Sequence, residues 1–108
     1  MKLYSLLALA SALLISACAG IPSSVTQNYQ CESGKTVAVS YRTSDTAEVD
    51  YKGNSYDMSI AVSGSGARYV GGGIEWWVKG SGSDAEGLLL KHRAGGSSGD
   101  ILESCTAL

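Results

Sequence analysis

The stretch Ile74-Glu75-Trp76-Trp77-Val78-Lys79 decides how this chain is read. In an extended strand successive side chains point to opposite faces, so Ile74, Trp76 and Val78 share one face and Glu75, Trp77 and Lys79 the other. One tryptophan then points inward and its neighbour outward. Working outward from this run, the apolar period stays at two. Val37, Val39 and Tyr41 alternate with Thr36, Ala38 and Ser40; Ala47, Val49 and Tyr51 oppose Glu48 and Asp50; Tyr56, Met58 and Ile60 are placed inward. The segments 28–32, 36–42, 46–51, 55–60, 67–70, 74–79, 88–92 and 100–105 are predicted as strands, and no stretch reads as a long amphipathic helix. Turn residues separate them: Ser33-Gly34, Thr43-Ser44-Asp45, Gly53-Asn54, Ser63-Gly64-Ser65-Gly66 and Gly71-Gly72-Gly73.

Eight short strands joined by tight turns predict an all-β fold, a small eight-stranded antiparallel up-and-down barrel, lipocalin-like in plan. Closure removes the exposed edges along which such strands aggregate. A barrel this small is filled by its own side chains, so no small-molecule ligand and no cofactor are expected.

The start of the chain follows different rules. Lys2 and the apolar run 6–15 have the layout of a secretory signal peptide, too short for a comfortable membrane span. Ile15-Ser16-Ala17-Cys18 resembles the lipobox of bacterial lipoproteins, which implies cleavage after residue 17 and a lipid on Cys18. Ala17-Cys18-Ala19 also fits ordinary signal cleavage, which would discard that cysteine. The expected organisation is a signal peptide at 1–17, a lipidated N-terminus and flexible tether at 18–27, and a barrel domain at 28–108. Three cysteines in an exported chain leave one to explain; lipid on Cys18 leaves Cys31 and Cys105 to pair. Such a bridge closes about 75 residues and contributes roughly 4 to 5 kcal/mol in the chain-entropy treatment, an upper figure.

Composition and motifs exclude several classes. Loss of residues 1–17 removes Lys2 and leaves seven Lys and Arg against ten Asp and Glu, a formal charge of −3. Nucleic acid is an unsuitable partner for that charge, and a basic macromolecule a suitable one. His92 has no metal-ligand spacing and no nucleophile beside it, so a surface histidine is expected and no metal site. The carboxylates fall on alternating faces or in turns and read as solvated, with no pair set as acid and base. Ser63-Gly64-Ser65-Gly66 is followed by a strand, whereas a phosphate loop needs a helix there. An enzyme is not expected.

What remains is Ser63-Gly64-Ser65-Gly66-Ala67-Arg68-Tyr69, the W-x-K-G run Trp77-Val78-Lys79-Gly80, the hairpin Gly53-Asn54-Ser55-Tyr56, and Cys31 and Cys105 at the domain ends. Together, over most of 29–105, these resemble the membrane-bound lysozyme inhibitors of C-type lysozyme. The resemblance implies an eight-stranded barrel with one disulfide and a protein partner, C-type lysozyme, whose cleft receives a loop serine and a strand lysine, here Ser65 and Lys79. The lipobox, with Ala19 after Cys18, resembles that of lipoproteins sorted to the outer membrane, so the expected place is the cell envelope, anchored in the outer membrane by the lipid on Cys18 and facing the periplasm. Arg68 either joins the contact or braces the loop, and Tyr69 and Trp77 are expected to add rigid contact area. The longer loop at 80–87 and the glycine-rich loop at 93–99 depart from the family pattern. A structural or scaffolding envelope lipoprotein is the alternative.

Overall fold

A computed structural model describes residues 24–108 of the chain; the stretch expected to be a signal peptide, Cys18 and most of the stretch expected to be a tether lie outside the described residues. Eight strands follow one another, β1 (Val25–Cys31), β2 (Thr36–Tyr41), β3 (Thr46–Tyr51), β4 (Asn54–Ala61), β5 (Ala67–Gly71), β6 (Ile74–Lys79), β7 (Glu86–His92) and β8 (Ser98–Ala107). Each pairs antiparallel with the next, and β8 returns to β1, so the sheet closes into an up-and-down barrel. Cys31 and Cys105 face each other in that last pairing and are bonded, with 74 residues between them in sequence. The closure is short, covering only Tyr29 to Cys31 on β1, so the covalent bridge reinforces one of the two shortest ladders of the barrel, the other being β4–β5.

The predicted alternation holds in the interior. Val37, Val39, Val49, Trp76 and Leu89 are fully buried, with Tyr29, Ala47, Met58 and Tyr69 around them. Trp76 fills the middle. Its indole meets the Tyr29 ring edge-on, centroids 4.8 Å apart, and its Nε1 donates to the Tyr41 hydroxyl at 3.0 Å. Tyr41 and Tyr29 are in turn joined by a 2.7 Å hydroxyl–hydroxyl bond, so the polar edges of three aromatic groups satisfy one another inside the barrel. Gly87, which pairs with Val78 on β6, makes this possible: a Cβ there would stand 2.2 Å from two indole carbons.

Several boundaries and placements differ from the sequence reading. β1 begins at Val25, so residues 25–27, read as tether, are strand; their backbone pairs with Val39, Ser40 and Tyr41, a partner that no local pattern reveals. β7 starts at Glu86, opposite Lys79, which leaves a connection of only 80–85. Ile60, expected inward, is 40% exposed, because it lies beyond the last β3–β4 pair, Thr46 with Ser59.

Two carboxylates expected in solvent are buried. Glu103 accepts from the Tyr51 hydroxyl near the 31–35 turn. Glu75 points to the outer face as the alternation requires, yet it is fully buried, because residues after β7 fold back over it. Its two oxygens accept four bonds, from Arg68 Nε (2.8 Å), Arg68 Nη2 (2.9 Å), His92 Nδ1 (2.6 Å) and Ser98 Oγ (2.6 Å). His92, read as a surface residue, is therefore partly buried and engaged. Burial pushes the Glu75 carboxyl up, but the bonds from Arg68, His92 and Ser98 outweigh it and hold the group at about 2. Among the described residues, no buried side-chain polar atom lacks a partner.

Two outcomes follow. Gly87→Val forces either the indole or the β6–β7 ladder to move, which costs about 2 to 3 kcal/mol and lowers the melting temperature by roughly 10 to 20 °C, read by circular dichroism. For Glu75, the folded carboxyl titrates below the ordinary 4.5, so its stabilisation is complete above that value and fades as pH falls toward 2. Urea titrations across this window should show the wild type losing roughly 3 kcal/mol from this group. Glu75→Gln should be less stable at neutral pH and lack that component of the acid slope.

Candidate functional site

One end of the barrel gathers the start of β1, the 42–45 turn, the 62–66 loop and the 80–85 connection. On this end the structure brings Ser65 and Lys79 together. Both are exposed, Ser65 at the tip of its loop and Lys79 as the last residue of β6. Gly66 draws the loop against the strand: its φ is +71°, and a Cβ there would lie 2.6 Å from the Val78 carbonyl oxygen and 2.7 Å from Lys79 Cγ. Only a residue without a side chain permits that approach in that left-handed conformation. A hollow of about 220 Å³ opens between Val25, Tyr41, Val78 and Ala85 at the same end.

Trp77 is the strut between the two groups. Because Trp76 is committed to the interior, Trp77 lies on the outer face, where its Nε1 donates to the Ser65 carbonyl at 2.8 Å. Lys79 Nζ lies 5.8 Å from the centroid of this ring, and the Arg68 guanidinium carbon 5.9 Å from it. Trp77 thus fixes the backbone of Ser65 and provides a surface for the Lys79 ammonium.

Arg68 is a brace. Its side chain is only 12% exposed; besides the two bonds to Glu75, its Nη1 donates to the Val62 carbonyl at 3.0 Å and its Nη2 to the Gly96 carbonyl at 3.2 Å. One guanidinium, anchored on a buried carboxylate, therefore ties the first residue of the 62–66 loop directly to the 93–97 loop. Within its own loop, Ser63 Oγ donates to the Gly66 carbonyl at 2.9 Å. Tyr69, expected at the contact surface, is instead 5% exposed and packs against Tyr41, ring centroids 5.8 Å apart. It faces the core because it is two residues from Ala67 and opposite Trp76, on the inward parity of β5.

The sequence reading missed Glu75, His92 and Ser98 as supports of this end. The signal was present in the register of the β5–β6 hairpin. Val70 pairs with Glu75 and Arg68 with Trp77, which puts Arg68 and Glu75 diagonally adjacent on the same outer face. Among the described residues, no three His, Cys, Asp or Glu side chains are grouped to hold a metal ion.

Comparison with known proteins bears on this geometry. Residues 29–93 match the family described as membrane-bound lysozyme-inhibitor of c-type lysozyme. That stretch holds the 62–66 loop, Trp77, Lys79, Arg68, Glu75 and His92. A relative from Cupriavidus necator, named membrane-bound lysozyme inhibitor of C-type lysozyme, is 38% identical over 82 residues, which cover 73% of this chain and 62% of the relative. The chain thus spans less than two thirds of that relative's length. No solved structure matches the chain. The match over most of the barrel, taken with its closed eight-stranded form and its Cys31–Cys105 bridge, means that this chain belongs to the family of membrane-bound lysozyme inhibitors of C-type lysozyme.

Proposed function

We propose that the protein inhibits C-type lysozyme by inserting Ser65 and Lys79 into its active-site cleft, and so protects the cell's peptidoglycan from hydrolysis. The observation that carries this reading is that the exposed 62–66 loop, with Ser65 at its tip, is held by Gly66 and Trp77 against the end of β6 that presents Lys79, an ammonium with no ion pair among the described residues. A retaining lysozyme carries two carboxyl groups roughly 5 Å apart in a cleft shaped for sugar hydroxyls, one kept protonated and one ionised. A serine hydroxyl gives and takes hydrogen bonds there as a sugar does. The Lys79 ammonium makes a charge-assisted bond to the ionised carboxylate, about twice as strong as a neutral one once water is excluded. Blocking requires no reaction, only occupation, so the protein acts without catalysis of its own.

The braces matter because a loop that must be ordered on docking loses affinity. Arg68 and Trp77 hold the 62–66 backbone before any partner arrives. The acidic character of the mature chain, −3 after loss of residues 1–17, favours a basic lysozyme and speeds the encounter at low salt. In the same reading Cys18 carries the lipid, residues after it form a short tether, and the barrel is held at the outer membrane, facing the periplasm.

Inhibition of a C-type lysozyme, measured by turbidity of a cell-wall suspension, should be strong for the purified protein. Lys79→Ala should weaken it by about a hundredfold, since the partner's buried carboxylate is left unpaired, and Ser65→Ala by about tenfold. Gly66→Val should weaken it although both side chains are retained, because the loop can no longer lie on β6. Full inhibition by the Ser65→Ala, Lys79→Ala double variant would discard this reading of the rim. Absence of any inhibition, with capture of envelope components, would favour a scaffolding role. Envelope fractionation tests the anchor: the wild type should partition with outer membrane and Cys18→Ala with the soluble periplasm.

A further inference from the structure

On the outer face of β6, β7 and β8 lies a groove of about 230 Å³ that shares Trp77 and Lys79 with the rim and adds Glu86, Leu88 and Ser104, which the rim mechanism does not use. Cross-strand register builds it from two rows. Trp77, Leu88 and Ser104 stand opposite one another, and the next row toward the rim places Lys79 opposite Glu86. Gly87 and Cys105 contribute its floor. Opposed residues have Cβ atoms about 5 Å apart and rows on one face are separated by about 7 Å, so an indole, an isobutyl group, a hydroxyl and a carboxylate converge within the span of one long side chain.

The charges in this groove are not paired with each other. Glu86 is exposed and makes no ion pair among the described residues, although it is directly opposite Lys79; the Lys79 ammonium lies instead over the Trp77 ring. If Lys79 enters an acidic cleft, it leaves its place over the ring, and the Glu86 carboxylate beside it keeps its charge, while Arg68 stays near the indole, tied to buried Glu75. A flat cation with an apolar stem satisfies every group at once. Its stem lies on Leu88, its plane on the indole, and its N–H groups reach Glu86 and the Ser104 hydroxyl.

We infer that this groove receives an arginine side chain of the lysozyme, from the rim of its cleft, as Lys79 passes into the cleft itself. The inference rests on the docking reading given above and adds a second, oppositely charged contact to it. The barrel donates a cation at Lys79 and accepts one at Glu86, which fixes the rotational register of the two proteins as well as their attraction.

The test uses the full-length protein purified in detergent and a C-type lysozyme, either untreated or with its arginines blocked by 1,2-cyclohexanedione. Wild-type affinity should fall about tenfold on blocking, whereas Glu86→Gln should bind untreated lysozyme about tenfold more weakly and show no further loss when the arginines are blocked. Its affinity should also depend less on salt. Glu86 is exposed and supports no other residue, so folding is not at issue, and an unchanged tryptophan emission spectrum checks this. If Glu86→Gln binds as the wild type does, or if acetylating the lysozyme's lysines rather than blocking its arginines abolishes the difference, the groove assignment is overturned while the Lys79 contact stands. If N-acetylglucosamine oligomers alone quench Trp77 in a Glu86-dependent way, the groove is a saccharide site and the inference is likewise overturned. If neither form binds lysozyme, both this inference and the docking reading fall together.

Discussion

The indole of Trp76 sets the parity of the barrel. Once that ring occupies the middle, held by the Tyr29 edge and the Tyr41 hydroxyl and accommodated by Gly87, neighbours on β6 have no choice of face. Glu75, Trp77 and Lys79 must project outward, because a shift of one residue would put two charges in the core. Burial of an aromatic of this size is worth several times the thermal energy, so the placement of exposed groups is decided by an interior one. The strut that positions Ser65 and the cation proposed to enter the partner are both consequences of where Trp76 sits.

A second constraint acts from outside the barrel. Glu75 is a full charge removed from water, tolerable only because four donors converge on it. Those donors come from β5, the end of β7 and the start of β8, so the carboxylate fastens separate segments at one point. Arg68 passes the constraint on to the 62–66 loop through the Val62 carbonyl. Such a cluster adds modest net stability compared with apolar packing, but it specifies one arrangement, which suits the preorganised docking rim proposed above.

Much of this was legible in the chain because strand alternation is a local signal. All eight strands and their antiparallel meander are readable from period and turn spacing, and the Cys31–Cys105 pairing from setting Cys18 aside for lipid; the resemblance singles out Ser65 and Lys79, which the fold places at the same end of the barrel. The misreadings share one cause. Val25 to Gln27 become strand because β2 offers backbone partners, not because their own side chains alternate. Glu75 becomes buried because a glycine-rich loop distant in sequence folds over it. Tyr69 reads as an interface residue by type, yet its parity, fixed by the pairing with Trp76, sends it inward. Side-chain periodicity reports which face a residue takes, and pairing and loop coverage decide what that face meets.

The central claim is that Lys79 reaches a catalytic carboxylate of the lysozyme. Carbodiimide coupling of the preformed complex, followed by mass spectrometry of the joined peptides, tests this most directly, because the activated carboxyl is attacked by a lysine amine already in contact with it, forming an amide with no spacer and releasing the carbodiimide as its urea. A Lys79 amide to one of the two catalytic carboxyl groups, suppressed by a substrate-like oligosaccharide, is the predicted product. Joining of Lys79 only to carboxyl groups outside the cleft, with inhibition intact, would contradict the account.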